Sequence, residues 1–178
     1  MKIKIQSFKI QPERSIILNN LQGDIHYTDS FKVMFVNKCD FSIDYLTALL
    51  FASDPKWVKF LLNLRDLMVK PFGLKSGLIP ESASLDKSIR YAPGDRLVLF
   101  PVIDRSESEI VMAEDDKHLY FRSSLLIQDT SDRYLQAAYL TTIVQFHNIW
   151  GKIYFAIVRP FHRLIMKEML ANFVEALT

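Results

Sequence analysis

The chain is poor in cysteine: Cys39 is the only one in 178 residues. That excludes an intrachain disulfide and any zinc site built on cysteines. Its neighbours Lys38 and Asp40 do not mark a nucleophile, so a partly buried, unreactive thiol is expected. Long apolar runs are missing as well. None reaches the roughly 18 residues that cross a bilayer. The opening MKIKIQSFKIQPER alternates lysine with apolar residues and builds no secretory signal core. No integral membrane association and a cytoplasmic location are therefore expected. Nor is there an excess of one charge. The 22 Lys and Arg balance 20 Asp and Glu, too even to predict the concentrated basic surface of a nucleic-acid binder, and none is expected as a partner. No GxSxG, no HExxH and no glycine-rich phosphate loop occurs, so no metal and no cofactor is expected.

What is present is apolar and aromatic mass. Hydrophobic residues make up 49% of the chain, with 13 Phe and 7 Tyr, which fits a packed globular protein. These rings either fill a thick core or line a cavity. Residues 1–178 suit one domain, and a chain of this size buries roughly 70% of its unfolded surface.

The pattern along the chain is α+β. Residues 2–10 alternate as a short strand or arm, and 31–36 read as a strand. Two short helices follow. One starts near Asp40 or Ser42 and ends before Ser53-Asp54-Pro55. The other carries Trp57, Val58, Leu61, Leu62, Leu64 and Met68 and stops at Pro71 and Gly73. Residues 73–95 are either a functional loop such as a lid, or hide a short strand near 88–91. Strands are expected over 96–102, 109–114, 118–128 and 133–147, separated by the turn sequences IDRSES, DDK and DTSD. Strands linked by short turns imply an antiparallel sheet, which must be covered on one face. Asn148 caps a terminal helix over 149–177, in which Pro160 should kink or break the chain. Before Pro160, IYFAIV is apolar all round and is either buried on every side or a strand.

This order of strand, two helices, antiparallel meander and long terminal helix resembles the helix-grip fold of the START-like (SRPBCC) superfamily. That group includes polyketide cyclases, aromatases, lipid-transfer domains and plant hormone receptors. More narrowly, the chain resembles a bacterial family of unknown function within it. The segments that carry the resemblance are PKWVKFLLNLRDLMVKPFGLK (55–75), EDDKHLYFR (114–122) and FHNIWGKIYFAIVRPFHRLI (146–165). The resemblance implies a curved antiparallel sheet gripping the last helix, with a cavity between them. Fold alone does not assign an activity.

The residues that can carry chemistry are few. Alternation puts His118, Tyr120, Arg122 and Ser124 on one face of their strand. If that face lines the cavity, Arg122 can hold a carboxylate, phosphate or enolate, and His118 or Tyr120 can act as acid or base. If instead Leu119, Phe121, Leu125 and Ile127 face the helix, which the pattern favours, the polar set is outside and Arg122 pairs with Asp115 or Asp116. His147 and His162 lie too far apart for a metal motif, but His162 follows Pro160, a place to meet a ligand. Trp57 and Arg65 share a helix face; Arg65 interrupts an apolar surface and needs a carboxylate or an anionic ligand. The basic row Arg159, Arg163 and Lys167 reads as a solvated helix face.

The leading expectation is a binding module for a hydrophobic or amphipathic small molecule or lipid, held between sheet and terminal helix. The alternatives are a cyclase, aromatase or dehydratase using His, Tyr and Arg, and a structural or interaction protein with a filled core. Ligand identity and oligomeric state are not legible.

Overall fold

The computed structural model describes residues 3–52, 88–97 and 100–178. The second expected helix, with Trp57 and Arg65, and most of the 73–95 segment lie outside the described residues. Seven strands form an antiparallel, curved sheet: β1 (Gln6–Phe8), β2 (Tyr27–Val36), β3 (Arg96–Leu97), β4 (Phe100–Arg105), β5 (Glu109–Asp115), β6 (Leu119–Asp129) and β7 (Leu135–Phe146). Their spatial order is β1-β2-β7-β6-β5-β4-β3, so the last strand returns to lie beside β2. Two helices are described, α1 (Ile43–Ala52) and the long terminal α2 (Ile149–Ala176).

The meander arises where it was expected, because β-branched and aromatic residues alternate between turn sequences. Several boundaries differ. β2 begins at Tyr27, four residues ahead of the expected start; residues 88–91 are not strand; and β4 runs on through Arg105, into the stretch expected to turn. The expected strand over 96–102 is instead two paired strands, with Leu97 opposite Phe100.

Between β2 and α1 the chain turns through Asp40, whose φ of 51° is left-handed, a conformation asparagine and aspartate tolerate better than most residues. Asn37 braces this turn by accepting from the Phe41 amide at 3.0 Å, and Ser42 caps α1 by accepting from the Tyr45 amide at 3.2 Å. α1 is apolar almost all round and is buried accordingly. Cys39 lies in this turn and is exposed, against the expectation of a partly buried thiol, because residues 38–40 all face solvent.

One face of the sheet packs on the helices. Phe31, Phe35, Leu125, Ile110 and Met112 meet Leu46 and Leu50 of α1 and Met169, Leu170 and Phe173 of α2. Phe35 and Phe173 cross edge to face at 5.3 Å. Burial of each such ring stabilises the fold by roughly 1.5–3 kcal/mol.

The opposite face is covered too, by residues 12–26, which no sequence signal announced. Ile17 is fully buried against Val111 and Ile143. Side chains of the sheet hold the backbone of this strap. Glu109 accepts from the Ser15 hydroxyl and the Ile16 amide, both at 2.7 Å, and Gln145 donates to the Gln22 carbonyl at 2.6 Å.

α2 is continuous from Ile149 to Ala176, with Pro160 inside it. Pro160 is tolerated because it is exposed, as is Ala156 one turn earlier, so the carbonyl that loses its donor can reach water. The IYFAIV stretch is helical and neither of the two expected alternatives. Ile153 and Ile157 are exposed, at 48% and 64%. No helix among the described residues is long and apolar enough to cross a membrane.

Candidate functional site

The sequence candidates separate into three places. The first is the strap side of the sheet, where Tyr120 and Arg122 lie. Arg122 is buried, and its guanidinium donates to the carbonyls of Ile17 and Asn19 at 2.9 and 2.6 Å and to the Tyr120 hydroxyl at 2.8 Å. The apolar set Leu119, Phe121, Leu125 and Ile127 packs on the helix side, the arrangement the pattern favoured. Pairing of Arg122 with Asp115 or Asp116 is not what forms. The strap delivers backbone carbonyls directly over the guanidinium, and five fixed donors suit several neutral acceptors as well as one carboxylate.

The second place is one end of the sheet, where the turn between β5 and β6 clamps the start of α2. Asn148 caps the helix by accepting from the Trp150 and Gly151 amides at 3.0 and 3.1 Å, as the sequence implied, and donates to the Lys117 carbonyl at 3.1 Å. His118 Nδ1 lies 3.3 Å from Asn148 Oδ1. His147 is exposed and pairs with Asp115 at 2.7 Å. Gly151 makes the crossing possible: a Cβ there would stand 2.0 Å from the His118 carbonyl oxygen. These histidines are employed in joining helix to turn.

The third place lies between β2 and α2. The Tyr27 hydroxyl donates to Asp29 Oδ2 at 2.6 Å, and His162 Nε2 of α2 approaches Asp29 Oδ1 at 3.3 Å. Asp29 is 4% exposed. Burial first, then the bond to Asp29 and its negative charge, raise the Tyr27 pKa well above the ordinary 10.0; Arg163 and Arg159 oppose this weakly. Tyr27 is therefore a firmly protonated donor at neutral pH.

Register extends this group across the sheet. Asp29 lies opposite Thr142, Thr142 opposite Ser123, and Ser123 opposite Met112. Residues directly opposite share a face, so Asp29, Thr142 and Ser123 form a polar row on the helix side, ending at Met112 in the core. Aromatic rings border it. Tyr27 meets Phe155 edge-on at 4.7 Å, Phe155 meets Phe146 at 5.7 Å, and the His162 ring lies 6.4 Å from Phe155. Of the expected site residues among the described residues, only His162 belongs to this group.

A strand start expected at Phe31 leaves Tyr27 and Asp29 outside it. The signal was available: Tyr27, Asp29, Phe31, Val33 and Phe35 alternate, so Asp29 interrupts an apolar row. Among the described residues, no group of three or more His, Cys, Asp or Glu gathers as a metal site would.

The chemistry available is that of a buried anion with one short and one long partner, a protonated phenol, an imidazole and two hydroxyls, set beside aromatic rings. Fold and group together define an α+β protein with a curved antiparallel sheet packed on a terminal helix and a polar row on the helix side of the sheet. Residues 21–169 match the model of a family described as a protein of unknown function (DUF2867), and the chain belongs to that family. No curated protein and no solved structure matches the chain.

Proposed function

We propose that the chain binds a hydrophobic or amphipathic small molecule between the sheet and α2. The observation that carries this reading is the Tyr27–Asp29–His162 group. A buried carboxylate normally takes a full set of donors, because an incompletely solvated anion is costly. Here the described partners are one short phenolic bond and one imidazole contact at 3.3 Å, beyond the usual length of a charge-assisted bond. A ligand hydroxyl, amide or ammonium would complete the set, while Phe155, Phe146 and Phe121 take up its apolar body. On this reading the whole chain is a single helix-grip domain of the START-like kind, and the grip is the binding device.

A second reading has one observation in its favour. His162 beside Asp29, with protonated Tyr27 on the other oxygen, is the geometry of an acid–base pair oriented by a carboxylate. It would serve cyclisation or dehydration of a bound aromatic precursor.

Native mass spectrometry of the purified chain, followed by organic extraction, tests the first reading. The expected result is a co-purifying molecule with an apolar body and a donor group, lost from Asp29→Asn. Absence of bound mass, with unchanged thermal stability across a panel of lipids and aromatic compounds, would overturn it in favour of a filled core. If the extracted compound returns chemically altered after incubation, and His162→Gln stops this, the group is catalytic.

A further inference from the structure

The helix that carries His162 turns a second, unabsorbed feature outward. Trp150, Ile153, Ile157, Phe161 and Leu164 are 65%, 48%, 64%, 50% and 65% exposed, and Ile149 begins the row at 60%. At 3.6 residues per turn these positions fall within an arc of about 120° and run about 22 Å along α2. Scattered exposed apolar residues are ordinary; a continuous stripe on one helix face is not.

The charges beside it are ordered as well. Lys152, Arg159 and Arg163 lie within about 40° of one another beside it, with Lys167 closing the stripe at its far end. All four are exposed, and no acidic residue occurs from Ile149 to Lys167. Arg159 also leans over the Tyr27 ring at 6.0 Å. The face opposite the stripe, with Phe155, Val158, Met166 and Met169, is buried in the protein. The outward half of the helix is thus itself amphipathic: an aliphatic and aromatic band, a tryptophan at its start, and a purely basic edge.

We infer that this face docks on an anionic lipid surface. A protein partner would need acids to meet the basic edge and a matching groove. A bilayer with anionic headgroups supplies both parts without shape. Apolar side chains enter the headgroup boundary, Trp150 takes the interfacial position tryptophan favours, and the basic edge lies along the phosphates. A second copy of the chain is the weaker fit, because a two-fold pairing of these helices would bring two uniformly basic edges together.

This inference stands apart from the ligand reading and has its own test. The purified chain is floated with vesicles of equal parts phosphatidylserine and phosphatidylcholine, and with vesicles of phosphatidylcholine alone. The expected result is binding to the anionic vesicles only, weakened by salt, and lost in the doubly substituted Ile157→Gln, Leu164→Gln chain. Both residues are exposed, so that variant should keep its thermal stability. Lys152→Gln and Lys167→Gln should each weaken binding about fivefold. Failure to float with anionic vesicles would overturn the inference. So would binding that the Gln substitutions leave unchanged, or a concentration-dependent dimer, abolished by them, that forms without lipid.

Discussion

Asp44 and Asp29 are equally buried, each 4% exposed, yet they are solvated by the protein in opposite ways. Asp44 of α1 is held by both arms of Arg105, at 3.0 and 3.1 Å, and also accepts from the Tyr91 amide at 2.7 Å. The same guanidinium donates to the Tyr91 carbonyl at 2.5 Å. A cation, a bidentate fork and a backbone amide satisfy that carboxylate, and the assembly ties α1, the segment before β3 and β4 together. Asp29 has a phenol and a distant imidazole in their place. The difference teaches how to sort buried charges: Asp44, whose acceptor capacity is used up by fixed donors, ties three segments together, and Asp29 holds only one short and one longer bond.

The largest expected effect would break the first member of the pair. Arg105→Ala strands Asp44 without its cation, and stability measured by chemical denaturation should fall by about 3–5 kcal/mol. His162→Ala removes a weaker partner and should cost about 1–2 kcal/mol on the same scale. Equal losses for the two variants would erase the distinction. Tyr27→Phe deletes one hydrogen bond with little change of volume and should cost about 1 kcal/mol.

Tyr27 also sharpens the comparison through pH. Its pKa is raised in the folded protein above the unfolded value of 10.0, so below that value both states hold the proton and the contribution is fully present. As pH rises past 10.0 the unfolded chain releases the proton first and stability falls. Tyr154, raised mainly by burial and then by Asp116, acts in the same direction. An alkaline titration of thermal stability should therefore slope downward above that point, and less steeply in Tyr27→Phe. Identical slopes for both chains would show that Tyr27 is not held protonated.

Much of the meander was legible, because a two-residue period between turn sequences is written locally. So was the Asn148 cap, a side-chain oxygen placed two and three residues ahead of the amides it serves. His162 stands out in the sequence as an imidazole just after Pro160, but its partner Asp29 does not. Arg122 was recognised as significant but not placed. Its partners Ile17 and Asn19 lie more than a hundred positions away, on a strap whose sequence has no period. Asp29 lies in the first turn-side residues of β2, ahead of the 31–36 run that reads locally as strand.

By itself the sequence determined the α+β composition, the strand alternation that puts Leu119, Phe121, Leu125 and Ile127 on one face, the cap at Asn148 and the basic row on the terminal helix. Each follows from the period of the backbone or from hydrogen bonds within a few residues. The tertiary structure alone decided that residues 12–26 cross the outer face, that Arg105 neutralises Asp44, and that His162 meets Asp29 across 133 positions. Those outcomes depend on which surfaces remain to be buried once the sheet has closed β7 onto β2, and local propensity carries no record of that.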